Sequence, residues 1–448
     1  VAGDPLPVGA GRAGDPLLEA VRRGDEGAVR ILLEDGADPE TFDEHGLPVL
    51  CLAVAAFDAS VAGHLVTGGA DASRRLPDGT TPLLRAVDSG SVGLVRALLD
   101  EPPSLHGSAR AELLARARQW HETGAVAMLR QSTGSVEPVA PVRVRDPLWF
   151  TDYHELRLGG LTVRDGHTGV LALLERSFGL CPTVTELADR AGALEHPDHE
   201  HASWSELVET LAARHDEETW AGAAALRAHP DPVHRRFGVE VLVSLNLADL
   251  IADLPTPFER PTRELLLDWA AAGDRPEVLA ELLAGLSHHE DPRIEPLGLS
   301  YLSHPSPSVR ARVPSALDCT APDHPARRTF TPAGLAALLT LAQDADAEVR
   351  AVAGYQLAES AHQEPAVADA LAALLDDARQ VTRIWAVSGL AQRDDPRCLA
   401  GATRIGPIAD RQAWSWILDA PARYEERRRR RGGPTGSPPG RTRSGAHR

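Results

Sequence analysis

Hydrophobic and small residues in the first hundred positions recur every 33 residues. Leu17, Leu50 and Leu83 form one column; Ala20, Ala53 and Ala86 a second; Val21, Val54 and Val87 a third; Leu32, Leu65 and Leu98 a fourth. Polar punctuation keeps the same register, with Gly36-Ala37-Asp38 on Gly69-Ala70-Asp71 and Gly46 on Gly79. Within one unit Leu17, Ala20 and Val21 share a face of a short helix, Gly24 breaks it, and Val29, Leu32 and Leu33 repeat the spacing on a second helix. Gly36 supplies a left-handed helix end. Asp38 to Gly46 is polar and suits an exposed hairpin or loop. A unit of this size cannot bury its own apolar face, so neighbours must stack.

Beyond His167 the pattern changes to a long run of amphipathic helices punctuated by Pro, Asp and Gly. The spacing predicts helices over 167–178, 183–193, 203–213, 216–228, 233–246, 259–272, 275–286, 293–303, 307–318, 332–343, 346–360, 364–376, 380–392 and 396–404. A phrase recurs in this run: an Asp or Pro start, an inward Val, an arginine near the first turn and small residues behind it. Its clearest copy is Asp346 to Ala358 with Arg350; Ser306 to Leu317 carries Arg310, and looser copies lie at Val381 to Ala391 and Asp231 to Gly238. Between the two arrays, residues 132–148 are rich in Pro, Val and Ser and read as a linker. Trp149, Phe150 and Tyr153 mark renewed burial, and Glu155 to Val163 alternates around Gly159-Gly160 as a small hairpin would.

The first array resembles the ankyrin repeat. Asp15-Pro16-Leu17-Leu18-Glu19-Ala20 and Thr81-Pro82-Leu83-Leu84-Arg85-Ala86 carry its opening motif, and Leu94-Val95-Arg96-Ala97-Leu98-Leu99 closes a unit. The motif histidine is replaced by Leu18, Cys51 and Leu84, and Phe57 stands where glycine is usual. A degenerate fourth unit at Gly124 to Leu129 is offset by 97 residues from Gly27 to Leu32, two short of three full repeats. The recurring phrase of the second array is similar to the second helix of a HEAT repeat; in that family the arginine commonly bonds an acid of the adjacent unit. The resemblances imply an all-α chain of two α-solenoids: three ankyrin repeats plus a degenerate cap over 14–131, a linker with a possible hairpin over 132–165, a HEAT-like superhelix over 166–420, and an Arg-rich extension over 421–448, disordered from about 432. Ankyrin loop tips and concave faces usually contact partners. That places partner-binding residues at Glu19, Arg22, Arg23, Glu40, Glu44, His45, Arg74, Arg75, Asp78, Arg85 and Asp88.

Composition narrows the picture. Aromatics are only 4% of the chain and its cations are all arginine, without a lysine; with valine at position 1 this suggests a GC-rich bacterial gene with an alternative start codon. Net charge is −18, yet from Pro421 onward nine arginines face only Glu425 and Glu426, leaving the remainder at −25. Such a body repels phosphate backbones and anionic membranes and favours basic or neutral protein partners, with nucleic acid reachable only through the tail. Four dispersed cysteines suggest neither disulfides nor a zinc cluster. No leader or membrane span is evident, so a cytoplasmic location is expected.

Candidate chemistry is sparse. Glu195-His196-Pro197-Asp198-His199-Glu200-His201 holds metal-ligand residue types, but Pro197 disfavours regular helix and no second ligand group is evident, so a solvated loop is expected. His288-His289-Glu290-Asp291 reads as a helix end. Some HEAT-like proteins excise alkylated bases with aromatic and acidic residues, which singles out Trp220 with Glu217 and Trp269 with Asp268; others attach bilin pigments. Phosphate-binding and hydrolase motifs are missing. The expectation is a non-enzymatic interaction scaffold without catalytic residues, cofactor or metal; the alternative is a HEAT-type enzyme acting on alkylated bases, or a bilin-lyase-like one.

Overall fold

A computed structural model describes residues 15–99, 105–197, 200–251, 257–317, 328–408 and 414–431. The chain is mainly helical and divides into two compact units, 1–259 and 260–448. The extension from 432, Cys319 and His199 lie outside the described residues.

The first unit opens with three helical hairpins: α1 (Pro16–Arg23) with α2 (Glu26–Glu34), α3 (Val49–Ala55) with α4 (Ala59–Thr67), and α5 (Pro82–Ser89) with α6 (Val92–Leu98). Their starts follow the period. Asp25, Asp58 and Ser91 each accept an amide of the following turn from α2, α4 and α6, and Asp15 and Thr81 do so for α1 and α5, satisfying donors that a helix start leaves unpaired. Helices α1, α3 and α5 pack in one row and α2, α4 and α6 in another. The Leu17, Ala20 and Val21 columns are buried between them. Leu65 and Leu98 are also buried, whereas Leu32 in the first hairpin is only half-buried.

The rows continue through α7 (Gly107–Thr123), which packs on α5, and through α9 (His167–Ser177), which packs on α6 and α7. Between them lie α8 (Ala125–Thr133) and a sheet of β1 (Val142–Arg145), β2 (Asp152–Leu158) and β3 (Leu161–Arg164). The strands are antiparallel in the order β1-β2-β3, with Val144 opposite Tyr153 and Leu156 opposite Val163. This corrects the all-helical expectation. The hairpin around Gly159-Gly160 forms, both glycines at positive φ, and β1 occupies part of the segment read as linker. Trp120, Met128, Leu129, Leu156, Leu158 and Val163 form the core beneath the sheet.

Four more helices complete the unit: α10 (Val184–Gly192), α11 (Ala202–Ala212), α12 (Glu217–Ala225) and α13 (Pro232–Ile251). Helix α11 packs on α6, α9 and α13, and one apolar cluster runs from Leu17 to Ala202. Compactness therefore does not divide the chain near 166, where a domain boundary was expected, because α9 and α11 continue the packing begun by α6.

The second unit holds helices Glu259–Ala272, Pro276–Leu286, Ile294–Ser300, Pro332–Leu341, Ala347–Glu359, Pro365–Ala373, Gln380–Gln392, Arg397–Ala402 and Ala420–Arg431, with shorter pieces between. The single helix expected over 307–318 is broken into Pro307–Arg310 and Val313–Ala316. Pro314 explains the break, since it has no amide hydrogen and its ring clashes with the preceding turn. The arginines of the recurring phrase share one geometry. The Nη1 of Arg235, Arg310, Arg350 and Arg383 each donates to the carbonyls six and five residues earlier, at 2.6–3.1 Å. Arg310 also binds Asp344 at 2.7 and 2.8 Å, and Arg350 binds Asp377 at 2.6 Å.

Candidate functional site

The loop joining β1 to β2 places three large apolar side chains in water. Asp146 Oδ1 accepts the amides of Leu148 and Trp149 at 3.0 and 3.2 Å, and its own backbone binds Thr151 O and Phe150 N at 2.8 and 2.9 Å. Its carboxylate lies 3.7 Å from buried Arg164, whose guanidinium stacks 4.5 Å from the Phe57 ring and 5.0 Å from the Tyr153 ring. On this buried seat Leu148, Trp149 and Phe150 are 43–69% exposed, and Phe150 is held at φ 55. A bulky residue in the left-handed region is disfavoured and persists only where its surroundings impose it. The burial expected for Trp149 and Phe150 is therefore corrected; of the three junction aromatics only Tyr153 is buried.

A groove of about 370 Å³ adjoins the loop, lined by Gly93 and Arg96 of α6, Trp149 and Phe150, and Glu206 and Glu209 of α11. Gly93 makes room for the Trp149 ring: a Cβ there would lie 2.7 Å from Trp149 Cδ1 and 2.9 Å from Asp146 Oδ2. Arg96 stacks 4.8 Å from the Trp149 ring while pairing with Glu206 and, at 2.8 Å, with Glu209. Arg176 joins the same carboxylates at 2.9 and 3.3 Å. Burial pushes the Glu206 carboxyl up to about 7, against the pull of Arg96 and Arg176.

Behind the sheet, three side chains from separate segments converge. Asp165, just after β3, receives His154 Nδ1 from β2 at 3.0 Å and His201 Nε2 from the start of α11 at 3.1 Å, both on Oδ2. Burial raises the Asp165 carboxyl, but hydrogen bonds from His201 and His154 outweigh it and hold the group below its usual value. His201 is buried, which corrects the solvated-loop expectation for this end of the segment; at the other end His196 is exposed, its ring 4.4 Å from that of His154. The partners were missed because they lie far away in sequence, on strands read as linker and hairpin.

The residues expected to bind partners are largely engaged with one another. Glu44 pairs with Arg22, which also lies 3.7 Å from Glu19; Glu40 pairs with Arg74, Arg75 with Glu112, and Asp78 with Arg85. Arg23 and His45 are exposed. Asp88 serves the interior, accepting Trp120 Nε1 at 2.7 Å and pairing with Arg116. His288 to Asp291 line a cavity of about 810 Å³ in the second unit. Trp269 is buried with Nε1 donating to Asp274 at 2.8 Å, and Trp220, half-buried, stacks against Phe258. Among the described residues no helix is long and apolar enough to cross a membrane.

No protein-family profile matches the chain, and no curated protein matches it. The likeness to solved structures is weak. YibA of Escherichia coli is 16% identical, over 54% of this chain and 98% of its own, with a TM-score of 0.38. An engineered protein is 15% identical over 92% of this chain and 96% of its own, with a TM-score of 0.36.

Proposed function

We propose that the chain is a non-enzymatic interaction scaffold, with ankyrin-type hairpins followed by HEAT-like helix pairs, that recognises a protein partner through the Leu148–Phe150 loop. The observation that carries this reading is three consecutive large apolar side chains held in solvent by a buried carboxylate. Exposed aromatics beside an arginine are the residue types that dominate protein interfaces, and a fixed loop loses little entropy on binding. The partner is one that offers an apolar segment to the exposed loop and, given the acidic body, basic rather than acidic flanks. The recurring arginine geometry supports the HEAT-like part of the reading, and the 33-residue columns the ankyrin part. The burial of Trp269 weakens the base-excision alternative, which needs an aromatic free to stack on a base.

A photo-crosslinking residue at position 150 should capture a protein that a control at exposed Val136 does not. With that protein purified, Trp149→Ala/Phe150→Ala should weaken binding by roughly tenfold or more while leaving the melting temperature unchanged. Unaltered affinity in the double variant would remove the loop from the interface. Release of bases from alkylated DNA by the pure chain would replace the scaffold with an enzyme.

A further inference from the structure

We propose that His154, Asp165 and His201 form a binding site for a divalent cation of the zinc class. Their ligand atoms, His154 Nδ1, Asp165 Oδ2 and His201 Nε2, all lie within 4.8 Å of one another. Both imidazole nitrogens approach the same oxygen, at 3.0 and 3.1 Å. Ligands at roughly 2.0–2.1 Å from a tetrahedral ion sit about 3.3 Å apart, so small outward shifts would seat the cation. Two imidazoles and one carboxylate suit zinc, cobalt or nickel better than calcium or magnesium, which prefer oxygen donors. His154 and Asp165 are partly exposed, which leaves water a path to the remaining position.

The backbone holds the three donors in place. The His154 amide donates to Asp165 Oδ1 at 2.8 Å, and the Asp165 amide returns a bond to His154 O at 3.1 Å. The Asp152 amide donates to Glu200 O at 2.7 Å, fixing β2 beside the approach to α11. Fixed donors on rigid elements are what a metal site requires. A cation would add a bond from the start of α11 to β2 and the end of β3, which are already paired with each other.

The site also makes a specific demand on His201. Its Nδ1 accepts the Ser203 amide at 3.2 Å, so without metal the ring proton sits on Nε2 and points at Asp165. A cation at Nε2 moves that proton to Nδ1 and gives up the Ser203 contact. The same exchange at His154 takes the proton from Nδ1 to Nε2. The carboxylate exchanges two N–H donors for one metal bond.

The test uses the untagged, metal-stripped full chain titrated with cobalt(II). The site predicts visible d–d bands of low coordination at about one ion per chain, displaced by zinc, and an exchange of the protonated nitrogen of His201 in ¹⁵N imidazole spectra on adding zinc. His154→Ala and Asp165→Asn should each abolish the bands, with circular dichroism reporting that the chain stays folded. His154→Ala is the safer variant, because Asp165 also binds a backbone amide. His288→Ala/His289→Ala should leave the bands intact. Absent bands in the wild type would overturn the proposal, as would bands that survive His154→Ala or vanish only in the His288/His289 variant.

Discussion

Phe57 shows how a repeat absorbs a misfit. It occupies the column of Gly24 and Gly90 and shares their positive φ, at 56°, where a side chain costs about 1–2 kcal/mol. Its ring lies under the Arg164 guanidinium at 4.5 Å, a contact of about 0.5–2 kcal/mol. Phe57→Ala keeps the strain and loses the contact, so it should destabilise the fold by about 1–2 kcal/mol. Phe57→Gly loses the contact but relieves the strain, and should be the milder change by about 1 kcal/mol, the reverse of the usual Ala–Gly order. Urea midpoints of the three proteins decide this; equal midpoints for Ala and Gly would show that the strain is not real. The departure from glycine was plain in the sequence. Its compensation was not, because Arg164 comes from a strand more than a hundred residues away.

At the scale of the element, the recurring arginines lock each helix to the chain that precedes it. Arg350 spans Asp344 O, Ala345 O and Asp377, and the Asp377 side chain is almost wholly buried. Asp377→Ala leaves a shielded guanidinium without its carboxylate and should cost about 1–3 kcal/mol. Arg350→Lys should lose most of what Arg350→Ala loses, since an ammonium cannot reproduce a planar fork bonded in three directions. Full rescue by lysine in thermal melts would reduce the interaction to simple charge. The arginine phrase was legible because it repeats; so were most of the helices, where apolar spacing and Pro or Asp starts coincide. Strand β1 was hidden because Pro138 and Pro141 made its surroundings read as linker, although Val142 to Arg145 does alternate. Helix α7 was passed over despite Leu113, Ala117 and Trp120, a helical spacing that the structure buries.

For the molecule as a whole, compactness divides the chain at 259, and the first unit holds an acid-sensitive centre. His167 begins α9, stacks on Trp120 of α7 at 4.2 Å, and donates from Nε2 to Asp88 O of α5 at 3.2 Å, while Nδ1 is buried without a partner. Burial holds its pKa down at about 4, whereas in the unfolded chain it is about 6.5. Below pH 6.5 the unfolded chain takes up a proton that the folded chain refuses, so this contribution is complete above pH 6.5 and is lost as pH falls toward 4. Between pH 7.5 and 5 the loss should reach about 2 kcal/mol. Calorimetry at the two pH values should show a transition that falls with acid in the wild type and falls less in His167→Gln; identical shifts in both would clear His167 of the effect. The helical character of the chain and its acidic charge were legible, because both rest on many residues at once. The site was not, since the exposed loop and the His154–Asp165–His201 cluster depend on contacts across the sheet.

The small sheet has one further implication. In the order β1-β2-β3, β1 is an outer strand, and its residues are mostly exposed. An outer strand offers free amides and carbonyls to any extended peptide, which invites unwanted self-assembly. Arg143 and Arg145 alternate with Val142 and Val144 along it and are tied to Asp152 and Glu200, which keeps charge on the outer strand, a composition that disfavours edge-to-edge pairing. The same two arginines that hold β1 in place thus set charge beside a loop whose exposed apolar side chains adjoin that edge.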